Sequence, residues 1–180
     1  MKLLSWDVGT VNLSYCLLSL HETSLTVLEW EVLDVSSQKN EPLDSLRENI
    51  MRALDTHPSL PAFLSCDAVL IENQPTFKNP KMKAVAGCIH DFFILRGKRD
   101  AGNAEMRILA VSPVSKVKGE TYLQKKKRAV ELCRGLTESC SEAACSSFRT
   151  RRKKDDLADS FLLAFQYLSK KMNVPVDTVR

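Results

Sequence analysis

The chain has 180 residues, enough for one domain with a substantial core. Its 44% hydrophobic and 27% charged residues fit an ordinary water-soluble domain. No apolar run approaches the ~20 residues that cross a bilayer, and Met1–Lys2 lead into strand-like sequence with no secretory or transit composition. A single intracellular domain over residues 1–180 is expected. The net charge of +4 conceals an asymmetry: residues 1–90 carry 7 Lys/Arg against 11 Asp/Glu, and residues 91–180 carry 19 against 11. A basic half of this kind suits binding to phosphate backbones through counterion release, although a solvated charged face has the same composition.

In chain order, Leu3–Asp7 reads as a short buried strand. Asn12–Leu20 and Leu25–Val35 come next as two more, parted by the turn-like His21–Ser24, so an antiparallel meander is expected. Pro42 opens a helix in which Leu43, Leu46, Ile50, Ala53 and Leu54 recur at helical spacing, and Pro58 and Pro61 stop it. Ala68–Glu72 (AVLIE) has the near-continuous apolar character of a strand buried on both faces. A helix over Met82–Leu95 carries Val85, Ile89, Phe92 and Phe93 as its apolar side, and Arg107–Ser112 reads as another buried strand closed by Pro113. Thr121–Leu136 is predicted as a helix rich in lysine, and Thr137–Thr150 as loop. The last helix, Asp155–Met172, has a core stripe of Leu157, Phe161, Ala164, Phe165 and Leu168. The order β-β-β-α-β-α-β-α-α describes one α/β domain with a mixed sheet.

Six cysteines (Cys16, Cys66, Cys88, Cys133, Cys140, Cys145) form no C-x-x-C pair and mostly adjoin apolar segments, so buried free thiols are expected. The spacings of Cys133, Cys140 and Cys145 are irregular and no histidine lies nearby, which argues against zinc.

The carboxylates are harder to place. Asp7 and Glu72 each close an otherwise apolar strand, at the edge of an α/β sheet where ligand sites form. Asp155, Asp156 and Asp159 open the last helix, and Asp159 shares a face with both of the others, off the core stripe. Singly, each acid has a simple alternative: a turn, an exposed strand end, a helix N-terminus. Together they imply a convergence of like charges that a divalent cation would relieve, and an all-oxygen donor set suits Mg²⁺ or Mn²⁺.

Four stretches carry a family resemblance: LSWDVGTVNLSYC at the start, VLIENQP at 69–75, VSPVSKVKG with the KKKRAVELC after it, and KKDDLADSFLLAFQYL at 153–168. In this order they resemble the RuvC-like Holliday junction resolvases of the RNase H-like superfamily, above all the poxvirus and large-DNA-virus resolvases and the fungal mitochondrial ones. The resemblance implies a five-stranded mixed sheet of order 3-2-1-4-5 flanked by helices, with the first and fourth strands adjacent. It implies that Asp7, Glu72, Asp156 and Asp159 are the catalytic acids and the ligands of two Mg²⁺ ions, with Mn²⁺ as substitute. Spacing leaves Asp155 and Asp156 equivalent, and the family's pair of aspartates three apart favours Asp156. Asn12 matches an asparagine that would shape the first loop. Asn73 stands where the family often has a basic residue, so one phosphate contact is missing there.

The resemblance further implies a structure-selective endonuclease that makes paired nicks in four-way junctions and related branched DNA, leaving 5′-phosphate and 3′-hydroxyl ends. It would act as a homodimer matched to a two-fold junction, and the apolar helix 82–95 either supplies that contact or simply packs on the sheet. Lys78, Lys81, Lys83, Lys116, Lys118, Lys125, Lys126, Lys127, Arg128, Arg149, Arg151, Arg152, Lys153 and Lys154 are the candidate phosphate contacts. The viral resemblance implies the host cytoplasm, or the nucleus, as the compartment. Two rivals stand beside this reading: a non-catalytic nucleic-acid-binding domain of the same fold, and an ATPase of the actin/Hsp70 kind, whose phosphate loop shares the D-x-G-T of Asp7–Thr10 but which needs two such domains.

Overall fold

The computed structural model describes residues 1–22, 24–36, 40–75, 79–112, 122–136, 145–151 and 154–172. Strands β1 (Lys2–Asp7), β2 (Asn12–His21) and β3 (Ser24–Asp34) form the antiparallel meander, and β4 (Ala68–Glu72) and β5 (Arg107–Val111) add to it in parallel. The sheet order is β3-β2-β1-β4-β5, as the resemblance implied. Register sets Trp6 beside Ile71, so Asp7 and Glu72 come side by side where the two central strands end.

Side-chain alternation along the strands sends two apolar sets to opposite faces. One face carries Leu4, Trp6, Tyr15, Leu17, Val69 and Ile71. It is covered by α1 (Leu43–Asp55), α2 (Leu60–Leu64) and α3 (Pro80–Phe92) through Leu46, Ile50, Phe63, Val85, Ile89 and Phe92. Trp6 anchors this side, with ring centroids 5.1 Å from Tyr15 and 5.9 Å from Phe63. The other face carries Leu3, Cys16, Leu18, Val27, Trp30, Ala68 and Leu70. It is covered mainly by α6 (Asp155–Met172), with Leu157, Phe161, Ala164, Phe165 and Leu168 of the predicted stripe all buried. Helices α4 (Tyr122–Leu136) and α5 (Ser146–Thr150) complete that layer through Cys133 and Phe148.

The structure departs from the sequence expectations at several elements. Composition predicts a buried strand over Arg107–Ser112, but β5 is an edge strand whose Arg107 and Ala110 are exposed. The prolines expected only to stop α1 also start a further turn of helix, since Pro61 occupies the first positions of α2, where its missing N–H costs nothing. Thr137–Thr150 is not loop throughout, because Ser146–Thr150 forms α5; residues 137–144 lie outside the described set. The helix expected over Met82–Leu95 begins at Pro80, capped by Asn79 Oδ1 accepting from the Met82 N–H at 3.2 Å. It widens into π-helical turns over Phe93–Asp100. Its apolar residues Val85, Ile89, Phe92 and Phe93 are all buried in the core, the packing alternative, while Ile94 and Leu95 of the same segment are exposed.

Candidate active site

The alternation that sorts the core also aims the acids. Leu3 and Ser5 precede Asp7 on the α6 face of β1, and Ala68 and Leu70 precede Glu72 on the same face of β4. Burial of Leu157 and Phe161 beneath α6 fixes the helix's rotation, so that Asp156 and Asp159 turn toward the two strand ends. Gly9 makes the tight return into β2 possible: a Cβ there would sit 2.0 Å from the Asn12 carbonyl oxygen. The chain therefore re-enters the sheet immediately beside Asp7, and the Asn12 Nδ2 donates to Asp156 Oδ2 at 3.2 Å.

Asp7, Glu72 and Asp156 are half-buried and Asp159 is exposed, so the cluster is open to solvent on one side. The Asp7 carboxyl is held well above the usual carboxylate range, first by desolvation, then by the charges of Glu72 and Asp159, a hydrogen bond with Glu72, and Asp156. For Asp159, the protein packed around the carboxylate is the largest cause and Glu72 the next, and its pKa is pushed up to about 6 despite its open side. Lys126 works against that rise. The Gln74 Nε2 donates to Glu72 Oε2 at 2.5 Å, and Gln74 itself is buried.

The adjacent aspartates at the start of α6 diverge. Asp155 is buried and ion-paired with Lys126 of α4, whereas Asp156 meets Asn12 and acts on Asp7. The structure thus brings Asp7, Glu72, Asp156 and Asp159 together and pairs Asp155 with a neighbouring helix, from where Asp155 still adds to the repulsion at Asp159.

The donor chemistry fits a hard divalent cation: four carboxylates, no thiol or imidazole among them, and mutual repulsion that a positive charge would remove. Among the described residues, no three such side chains already stand in metal-holding geometry. The fit therefore rests on the kind and closeness of the donors.

A family model described as Poxvirus A22 protein matches residues 1–171. The chain belongs to that family. It is 30% identical over 147 residues to an uncharacterized protein of Acanthamoeba polyphaga mimivirus, a match covering 72% of this chain and 35% of that protein. It is 28% identical over 169 residues to a vaccinia virus protein named Holliday junction resolvase, covering 94% of this chain and 76% of the relative. This chain therefore spans about a third of the mimivirus relative's length and three quarters of the vaccinia one's. In fold it is similar to the fowlpox virus resolvase solved with Holliday junction DNA, with a TM-score of 0.70 at 21% identity over 96% of this chain and 99% of that one.

The basic residues expected to grip phosphates divide. Lys83, Lys127, Arg128 and Arg149 are exposed. The Lys126 ammonium is ion-paired with Asp155. The Lys81 ammonium donates to the Glu41 carbonyl, Arg151 Nη2 to the Val32 carbonyl at 3.4 Å, and Lys154 Nζ to the Arg149 carbonyl at 3.0 Å. Lys78, Lys116, Lys118, Arg152 and Lys153 lie outside the described residues, as does the side chain of Lys125.

Sequence reasoning misses two partners of the acids. Asn12, expected to shape its loop, reaches across to Asp156; Gln74, within VLIENQP, holds Glu72. For Gln74 the signal is present, since an amide two residues past a strand-ending carboxylate is well placed to bind it.

Proposed function

We propose that this chain is a divalent-metal-dependent endodeoxyribonuclease that resolves four-way junctions and related branched DNA, acting as a homodimer through one RNase H-like domain over residues 1–180. The observation that carries this reading is the cluster of Asp7, Glu72, Asp156 and Asp159, drawn from β1, β4 and α6, in a member of the A22 family. The vaccinia relative named as a resolvase and the fowlpox neighbour bound to a junction indicate the substrate. Their viral origin supports action in the host cytoplasm.

Two Mg²⁺ ions, or Mn²⁺, would supply an activated water and neutralise charge at the scissile phosphodiester. Asp7, central to the other three acids, would be the principal metal ligand. Glu72, steadied by Gln74, and Asp159 on the open side would complete the ligand set, and Asp156, oriented by Asn12, would face the second ion or the attacking water. Exposed Lys83, Lys127 and Arg128 would hold the backbone without reading bases. Two copies related by a two-fold axis would present one cluster to each of the opposed strands.

The test is cleavage of a synthetic four-way junction in Mg²⁺ beside linear duplex and an RNA–DNA hybrid. Paired junction nicks with 5′-phosphate and 3′-hydroxyl ends are expected. Preference for the hybrid would make the chain a ribonuclease, and equal cutting of all three a general nuclease. Asp7→Asn should abolish cutting while junction binding survives; binding without cutting by the unaltered chain would identify a non-catalytic binding domain.

A further inference from the structure

The acid cluster is divided between two bodies: Asp7 and Glu72 belong to the sheet, Asp156 and Asp159 to α6. Like charges on either side of that boundary push the helix away from the sheet. The first half of α6 is held by side chains that come from outside it. Ser14 Oγ donates to the Asp156 carbonyl at 2.5 Å, Trp30 Nε1 to the Leu157 carbonyl at 2.8 Å, and Ser5 Oγ to the Ser160 carbonyl at 2.7 Å. The Cys133 thiol lies 3.6 Å from the Ala158 carbonyl, a weaker contact from α4.

These donors sit on the α6 face of three neighbouring strands, with Ser5 beside Cys16 and Cys16 beside Trp30 in the register, and Asp7 beside Ser14. Ser5, Ser14 and Trp30 are all buried. A hydroxyl has one proton, so Ser5 gives it to the nearer of its two carbonyls, that of Ser160 rather than that of Cys16 at 3.2 Å. Interior helix carbonyls already accept a bond from the N–H four residues on and use these donors only through the second lone pair. The helix does not need the serines for its own completion. What the three bonds do is fix its height and rotation on the sheet.

We propose that Ser5, Ser14 and Trp30 are positioning residues that latch the first two turns of α6 to β1, β2 and β3 against the repulsion between the helix-borne and sheet-borne carboxylates. The helix-borne and sheet-borne acids are then kept near one another before any cation arrives. The cation's part in this rests on the reading of the four acids as one metal site; the latch itself does not.

The test compares the chain with a Ser5→Ala/Ser14→Ala variant, each with and without Asp159→Asn, in EDTA at about pH 8. The serine variant is expected to melt lower, and Asp159→Asn to restore more of the melting temperature in that background than in the unaltered chain. Amide exchange at residues 156–160 should speed up in the serine variant and slow again on adding Asp159→Asn. Equal effects of Asp159→Asn in both backgrounds, or unchanged exchange, would reduce the bonds to ordinary packing and overturn the latch. If the double variant does not fold, Trp30→Phe, which keeps a ring and loses the N–H, is measured in the same cycle.

Titration with Mn²⁺ alone supplies the second arm. The serine variant should bind about tenfold more weakly, the lower end of what losing an outer partner costs a metal site. Equal affinity would deny the latch a role in the site. No Mn²⁺ binding by the unaltered chain would defeat the metal reading, and the EDTA cycle would still decide the latch.

Discussion

The Lys126 ammonium is ion-paired with the Asp155 carboxylate, and this pairing gives two adjacent aspartates different partners. Asp155 joins α4 to the start of α6 with its side chain only 11% exposed, while Asp156 is left to face Asn12 and the acid cluster.

Asp155→Asn should therefore cost stability more than catalysis. The Lys126 side chain is 28% exposed, so the loss should fall below that for breaking a fully buried pair, at about 1–2 kcal/mol. Junction cutting should stay within about threefold. Asp156→Asn should show the reverse, with little change in melting and cutting reduced at least about 100-fold, since even an outer partner of a metal ligand is worth about 10–100-fold. Thermal unfolding and single-turnover cleavage of both variants decide it; equal cleavage losses would mean that the two aspartates share the site.

The raised acids make a prediction about pH in the absence of metal. Asp159 moves from 3.8 to about 6, and Asp7 also lies well above 3.8. Between those values the folded chain holds protons that the unfolded chain has released. Their contribution to stability is whole below about pH 3.8 and is lost as the pH rises through about 6. In EDTA the melting temperature should carry a downward slope over that window, and Asp159→Asn should remove part of it. Saturating Mg²⁺ should flatten it too, by displacing the protons. A variant whose pH slope matches the unaltered chain's would show that Asp159 does not titrate there.

Gln74 donates to Glu72 and is buried while doing so. Gln74→Leu keeps much of the volume and removes the donor, freeing the Glu72 carboxylate to rotate. The Mn²⁺ concentration for half-maximal cutting should rise about tenfold or more, with far-ultraviolet circular dichroism unchanged. Gln74→Glu should do worse, because it sets a fifth carboxylate against Glu72. An unchanged metal requirement in Gln74→Leu would make the bond incidental.

How far the sequence is readable depends on what each feature needs. The acid at the end of β4 is legible because AVLIE is apolar without interruption up to Glu72. RILAV looks the same by composition, yet β5 is an edge strand: a strand's place in a sheet depends on what pairs beyond it, which its own residues do not record. Asp155 and Asp156 are equivalent by spacing, and a lysine some thirty positions upstream separates them. The latch is invisible for a similar reason. Ser5 and Ser14 read as unremarkable small residues in strands, and their meaning lies in a helix more than 140 residues away. Asp7 and Glu72 are legible because each is an acid where an apolar strand ends; Asp156 and Asp159 open the last helix, and only the family resemblance favours Asp156 over Asp155.

The DNA path can be tested by salt. Lys127 and Arg128 are exposed on α4, and Lys127 is only loosely paired with Glu131 at 3.9 Å, an i,i+4 contact worth a few tenths of a kcal/mol. Each phosphate contact contributes about 0.9 to the slope of log affinity against log salt. Lys127→Ala with Arg128→Ala should flatten the slope for a four-way junction by about 2 and leave saturated cutting unchanged. Lys126→Ala should barely alter the slope, because its charge is spent on Asp155, and should instead lower the melting temperature as Asp155→Asn does. A slope changed by Lys126→Ala but not by the Lys127/Arg128 pair would move the phosphate path off the outer face of α4 and onto the mouth of the acid cluster.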